Sequence, residues 1–204
     1  EIGSGLVGSE MCIRDSADIS EFLTKQLEDE NIISSDKREL YKYGFQNGMI
    51  LILNFITSLI IGALFGMFLE IILLLAAYIP FRSYAGGHHA SSAEKCYIVS
   101  SAIEAIWVCM LKFEIIPARL LIAMLIIGVC VCLLLAPVES KNKPLDEQER
   151  RIYKKMALII LSAEVCIWFI LTFVLHIFEE IIPLAIFTEA VMLVLGKIAL
   201  NKAK

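Results

Sequence analysis

The chain has 204 residues, of which 58% are apolar, and its formal net charge is −4. A mean hydropathy of +0.76 is far above that of a soluble domain, so composition predicts an integral membrane protein. The negative charge argues against a general nucleic-acid-binding protein. The six cysteines do not suggest a disulfide framework, because Cys109, Cys130, Cys132 and Cys166 lie inside apolar runs, where cysteine behaves as a small hydrophobe.

The first sixteen residues differ in character from the rest of the chain. They read EIGSGLVGSEMCIRDS and contain neither helical periodicity nor the apolar run of a signal peptide. Part of this string resembles a translated sequencing adapter. We therefore expect residues 1–16 to be a non-native leader, and Cys12 has no part in the functional argument.

Residues 17–44 form a charged and amphipathic segment. Apolar residues such as Ile19 and Leu23 alternate with acids and lysines, a pattern typical of helices that lie at a membrane surface. Ser34 or Ser35 is predicted to cap a second short helix. A soluble arm would show the same pattern, so both interpretations remain open.

Six apolar segments, bounded by charges, glycine or proline, occupy most of the remaining chain. They cover approximately residues 45–65, 67–81, 97–113, 115–136, 157–177 and 181–200. Most are long enough to span a bilayer core of about 30 Å, which takes about 20 helical residues. The second is short, and the third contains Glu104 and ends at Lys112, so either could be tilted, re-entrant or buried. We predict an all-α polytopic membrane bundle with about six, and between four and six, transmembrane helices.

The distribution of basic residues predicts the orientation. If six segments span and the N-terminus is inside, the cytoplasmic side after the leader carries fifteen Lys and Arg residues, against only Lys112 and Arg119 outside. Positively charged loops stay in the cytoplasm. Both termini and the segment Arg82–Cys96 are therefore predicted to lie on the cytoplasmic side.

The segment Arg82–Cys96 places two histidines and a cysteine between apolar segments two and three. It reads RSYAGGHHASSAEKC. Within it, Ser91 to Glu94 has the S-x-x-E form of a capping box, so the next helix is predicted to begin just after Ser91. Cys96 would then lie near a helix N-terminus, where the helix dipole and Lys95 favour a thiolate.

A cysteine nucleophile with a histidine base is the first hypothesis for this segment. On one straight helix, His89 and Cys96 would be about 10.5 Å apart along the axis at 1.5 Å per residue, so a direct hydrogen bond requires a bend. Gly86 and Gly87 provide the conformational freedom for it, and His88 should then point elsewhere.

Two other interpretations of the segment remain open. A metal site could use His88, His89 and Cys96, although no ligand-pair spacing supports it and a fourth ligand is missing. The polar residues could also belong to an ordinary loop between two helices and have no chemical function.

A family resemblance favours the dyad. The residues that carry it are Arg82, Gly86, Gly87, His89, Ala90 and Cys96. Their pattern, R-x-x-x-G-G-x-H-A with a cysteine seven residues after the histidine, resembles the accessory gene regulator protein B (AgrB) family of bacterial membrane cysteine endopeptidases. Similarity continues at Tyr43-Gly44, at Ala136-Pro137-Val138 and at Lys143-Pro144-Leu145, so it covers nearly all of the chain after residue 16.

The resemblance implies a role in peptide quorum sensing. Such enzymes remove the C-terminal tail of an AgrD-type precursor peptide through a thioester and help to form a cyclic thiolactone or lactone signal. By motif position, Cys96 would be the nucleophile and His89 the general base. The supporting and substrate-positioning residues would be Arg82, Gly86, Gly87 and Ser92.

The same resemblance implies the setting of the reaction. Residues 45–204 would form an AgrB-like transmembrane peptidase domain in the bacterial plasma membrane. The implied partners are the precursor peptide, membrane lipid and a second copy of the chain as a homodimer. No cofactor, metal or nucleic acid is implied.

Carboxylates within apolar runs support a different class of function. These are Glu70, Glu104, Glu164 and Glu189. Charged groups in a membrane are costly, and a polytopic transporter could use them as a proton relay, although no repeat or pair of broken helices is evident. The basic segment Lys141–Lys155 could bind an acidic precursor tail or anionic headgroups. A noncatalytic membrane adaptor is the third possibility.

Overall fold

The computed structural model describes residues 19–30, 32–88, 93–139 and 145–202, and these residues form helices without any β-strand. The helices are α1 over residues 19–29, α2 Arg38–Phe65, α3 Phe68–Ala85, α4 Ala93–Lys112, α5 Ala118–Leu135, α6 Glu147–Ile170 and α7 Ile181–Asn201. A 3₁₀ turn, Ser35–Lys37, precedes α2, and a π-helical turn, Leu171–Leu175, extends α6. The all-α prediction is confirmed, and the predicted leader, residues 1–16, lies outside the described residues.

Five of the described helices are long and apolar enough to cross a membrane, namely α2, α3, α5, α6 and α7. This number lies within the predicted range of four to six. Of the six predicted apolar segments, the third, which forms α4, falls outside this set. It has 20 residues, but Lys95, Glu104 and Lys112 reduce its apolar character, as the sequence had indicated.

The first membrane helix begins earlier than its apolar run. Helix α2 starts at Arg38 and continues for 28 residues, so the second half of the amphipathic segment is the beginning of α2 rather than a separate short helix. Ser34 precedes the 3₁₀ turn without making a side-chain cap bond. Gly44 and Gly48 each cost about 1 kcal/mol relative to alanine, which does not interrupt a helix of this length.

Helix α6 also begins early, ten residues before its predicted start. The cause is a capping box, in which the Glu149 amide donates to Asp146 Oδ1 at 2.7 Å and the Asp146 amide donates to Glu149 Oε2 at 3.4 Å. Such a box satisfies backbone donors that the first helical turn leaves free. The second half of the basic segment Lys141–Lys155 is therefore helical.

The described chain divides after Ile60, after His89 and after Glu104 into two compact units. In the first unit, α1 is attached to the start of α2 because Glu21 accepts hydrogen bonds from Lys42 and Arg38. These bonds lower the pKa of Glu21.

In the second unit, α7 packs against α3, α5 and α6. Close approach to α5 is possible because Gly128 has no side chain, and a Cβ there would lie 2.9 Å from Ile186 Cγ2. The buried face of α7 includes Leu184, Ile186 and Leu193, all 0% exposed. Helix α7 is therefore the most buried helix of this unit, and a chain segment packed against it has a firm support.

Candidate active site

Helix α3 leads directly into the histidine-containing segment. It continues four residues beyond its predicted end, through Arg82 to Ala85, and stops at Gly86, whose φ is +77°. Gly87 comes next, with a φ of +120°. Residues other than glycine rarely adopt such angles, so the two motif glycines turn the chain out of the helix. We call residues Gly86–His88 the glycine turn.

Arg82 holds the glycine turn from the last turn of α3. Its Nη1 donates to the Gly86 carbonyl at 2.5 Å, and its Nη2 donates to the His88 carbonyl. Charge-assisted bonds of this kind contribute about 1.5–3 kcal/mol each. The sequence predicted Arg82 as a supporting residue, and its contacts give it a role in shaping the chain just before His89.

The segment after α5 holds the other side of the glycine turn. The Val138 amide donates to the Ala85 carbonyl at 2.9 Å, and the Gly87 amide donates to the Val138 carbonyl at 3.3 Å. Gly86 and Val138 form a parallel β-bridge, and a side chain at Gly86 would collide with the Val138 carbonyl oxygen. Val138 belongs to one of the short motifs that carry the family resemblance, and this contact explains why that motif matters.

The backbone of helix α7 contacts the glycine turn. The His88 amide donates to the Met192 carbonyl at 2.9 Å. Gly196 lies directly beneath, because a Cβ at this position would be 2.6 Å from the Gly87 carbonyl carbon. Sequence reasoning missed both contacts. Gly196 carries the only signal that could have revealed them, since glycine inside an apolar helix often marks a close approach of two backbones.

The predicted dyad and the predicted Ser92 role remain predictions. His89, Ala90, Ser91 and Ser92 lie outside the described residues, as does the side chain of Glu94. Before this gap, the described chain ends at His88, whose backbone is held by hydrogen bonds. After the gap, it resumes at Ala93, the first residue of α4. Within the described residues, no group of three or more His, Cys, Asp or Glu side chains could hold a metal ion.

Cys96 lies in the first unit on α4, three residues after Ala93, as a half-buried free thiol. The adjacent residue anchors this part of the helix, because the Tyr97 hydroxyl lies 2.9 Å from Thr57 Oγ1 on α2. Two turns further on, the Ser58 hydroxyl donates to Glu104 Oε2 at 2.6 Å. Two side-chain hydrogen bonds thus fix the helix that presents Cys96.

The four intramembrane carboxylates have different surroundings. Glu70 is in the first turn of α3, where the helix dipole favours negative charge, and Glu104 accepts the hydrogen bond from Ser58. Glu189 is 0% exposed, and its Oε1 lies 3.5 Å from Arg82 Nη1. Glu164 is 5% exposed, and neither of its carboxylate oxygens has a hydrogen-bond partner among the described residues.

The missing hydrogen bonds of Glu164 predict how its replacement changes the stability of the protein. Replacing Glu164 by leucine removes a buried polar group that makes no hydrogen bond with the described residues, so the free energy of unfolding should rise by about 1–3 kcal/mol. Thermal unfolding in detergent measures this change. The matched control is Glu104→Leu, which breaks the bond to Ser58 and should not stabilise.

Comparison with known proteins agrees with the motif. The family described as Accessory gene regulator B matches residues 17–195. Two AgrB-like proteins of Clostridium perfringens, from strain SM101 / Type A and strain 13 / Type A, are each 26% identical over 153 residues, which covers 71% of this chain and 71% of the relative. No solved structure matches the chain. Since the family match includes the whole of Arg82–Cys96 and most of the remaining residues, this chain belongs to the accessory gene regulator B family.

Proposed function

We propose that this multi-pass membrane protein of the accessory gene regulator system is a cysteine endopeptidase. It removes the C-terminal tail of an AgrD-type precursor peptide and promotes closure of a cyclic thiolactone or lactone signal. The observation that carries the proposal is the anchoring of the glycine turn by Arg82, Val138 and Met192, directly before His89. A general base acts only when it is held within hydrogen-bond reach of its partner, and a backbone fixed immediately ahead of it serves that need.

The chemistry proceeds by two acyl transfers. The Cys96 thiolate attacks the precursor carbonyl at the tail junction, the C–N bond breaks, and His89 protonates the leaving amine. The product is a thioester between the precursor and Cys96. An internal cysteine or serine of the precursor then loses its proton to His89 and attacks the thioester carbonyl. The ring closes, the bond to Cys96 breaks, and the Cys96 thiolate and protonated His89 are restored.

Closure of the ring competes with hydrolysis of the thioester. A position at the membrane boundary limits the access of water to the thioester. Free backbone amides at the start of α4, between Ser92 and Cys96, are our candidates for stabilising the oxyanion.

The proposed orientation places both termini and Cys96 on the cytoplasmic side. It requires α4 to cross the membrane in addition to the five apolar helices. If α4 did not cross, the basic start of α6, with Arg150, Arg151, Lys154 and Lys155, would lie outside, against the rule that positive loops stay inside. The proposed partners in this setting are the precursor peptide, anionic lipid at the basic segment and a second copy of the chain.

Reconstitution with a candidate precursor peptide tests the function, with mass spectrometry of the released tail and of the acyl-enzyme adduct. Replacing His89 by alanine should lower the acylation rate by about 10²–10⁴-fold, the usual contribution of a general base. His88→Ala is the matched control and should be far milder, since the hydrogen bonds of His88 in the glycine turn come from its backbone. Equal losses in the two variants would contradict the assignment of His89 as the base.

A further inference from the structure

Glu189 of α7 is a buried carboxylate with specific partners on α3. Its side chain is 0% exposed, and Oε1 lies 3.5 Å from Arg82 Nη1. Tyr78, one helical turn before Arg82, is a second residue of α3 that interacts with the Glu189 carboxyl group. A charge in the membrane interior is costly unless it is paired, so the pair with Arg82 accounts for the presence of an acid at this position.

Arg82 connects Glu189 to the glycine turn. The guanidinium is planar and carries five N–H donors in a fixed fork. Here the fork points at the carbonyls of Gly86 and His88, while Glu189 lies beside Nη1. Glu189 adds an ion pair to the two bonds with the carbonyls, and this pair favours the direction in which the fork points.

The backbone of α7 supports the same turn. Glu189, Met192 and Gly196 are spaced by three and four residues, and residues at this spacing lie on one face of a helix. The Met192 carbonyl accepts from the His88 amide, and Gly196 leaves room for Gly87. One face of α7 therefore supports the glycine turn in three ways. Glu189 pairs with Arg82, the Met192 carbonyl accepts a hydrogen bond from the turn, and Gly196 leaves room for the backbone of Gly87.

We propose that Glu189 is a positioning residue, which acts through Arg82 to hold the chain ahead of His89 in the orientation needed for general-base catalysis. The inference rests on the proposed cysteine endopeptidase function. In this role Glu189 acts only through Arg82 and takes no direct part in the chemistry. Its negative charge orients Arg82, and Arg82 orients the glycine turn.

Glu189→Gln keeps the size of the side chain and removes the charge, and two measurements read its effect. With a reconstituted precursor peptide, kcat should fall by about 10²-fold, the cost of a misplacement of about 1 Å, with little change in KM. Without any peptide, the rate of Cys96 alkylation by iodoacetamide is measured across about pH 6–9, where thiols and imidazoles change charge. Its pH profile should shift toward that of His89→Ala. A merely structural role would lower the folded fraction without moving this pH profile.

Further variants separate the charge pair from general effects of a buried acid. Glu164→Gln is the matched control, because it replaces another buried carboxylate that makes no hydrogen bond in the described residues, and it should retain the alkylation profile. Arg82→Lys keeps the positive charge beside Glu189 but loses the fork, so it should be as impaired as Glu189→Gln. Glu189→Asp keeps the negative charge, should fold, and should recover most of the alkylation profile.

The outcomes distinguish the inference from the proposed function. A wild-type kcat and pH profile in Glu189→Gln, or a lowered folded fraction with an unchanged profile, would overturn the positioning role. Full tail release by Cys96→Ala would instead overturn the cysteine endopeptidase itself. If Glu189→Gln fails to fold, an alkylation profile of Glu189→Asp identical to that of His89→Ala would show that a charge at this position does not hold the turn.

Discussion

Cys96→Ala is expected to abolish both tail release and the acyl-enzyme adduct, with a rate at least about 10³-fold below that of the unaltered protein. The thiol is the proposed nucleophile, and a thioester can form only on a thiol. Binding of the precursor should be retained, because alanine removes a single sulfur from a half-buried site. Mass spectrometry of the reconstituted protein with its precursor measures both products.

The chain supplies its own controls for this experiment. Cys130 and Cys166 are exposed on membrane helices, and their replacement by alanine should leave tail release unchanged because they lie apart from the motif and lose little packing. A Cys96→Ala protein that cleaves at the normal rate would end the cysteine endopeptidase proposal. Cleavage that tolerates this substitution but depends on added zinc would restore the metal-site interpretation.

Apolar run length predicted the helical architecture well, and it failed mainly at helix ends. The number and order of the membrane helices are a consequence of stretches of about 20 apolar residues. Run length carries no information on where a helix continues into charged sequence, as α2 does from Arg38 and α6 does from Glu147. The start of α6 could nevertheless have been predicted from the sequence, because Asp146 and Glu149 have the spacing of a capping box.

The site was predictable only for residues whose side chains belong to the motif. The pattern identified Arg82, Gly86 and Gly87, and the structure gives each a contact in the glycine turn. The carbonyls of Val138 and Met192 hold the same turn. The resemblance includes Val138 but says nothing of its carbonyl, and no motif includes Met192, because every residue has a carbonyl. Only the folded backbone determines which carbonyl faces the turn.

Gly196→Ala is expected to reduce tail release by about 10²-fold through displacement of the glycine turn. An added Cβ would lie 2.6 Å from the Gly87 carbonyl carbon and 2.8 Å from the His88 amide nitrogen. Both are backbone atoms, which cannot rotate away as a flexible side chain can, so the turn or α7 must move. A shift of about 1 Å near a catalytic group typically costs this much in rate. The measurement is kcat/KM for tail release, paired with thermal unfolding.

Gly48→Ala is the matched control for this substitution. It makes the same chemical change in a membrane helix, but nothing lies within 4 Å of the added Cβ. Alanine is favoured over glycine in a helix by about 1 kcal/mol, so Gly48→Ala should be slightly more stable and fully active. A fully active Gly196→Ala would show that the contact with α7 is not needed to hold His89.

Combining Gly196→Ala with Glu189→Gln tests whether the two residues act on the same structure. Independent effects on the activation free energy add, whereas residues that act through one shared element show a coupling between them. Each single substitution should already release the glycine turn from α7, so the double variant should be little less active than the less active single variant. Losses that multiply would mean that Glu189 acts on catalysis by a route other than the turn, and measurement of kcat/KM for all four proteins decides between these outcomes.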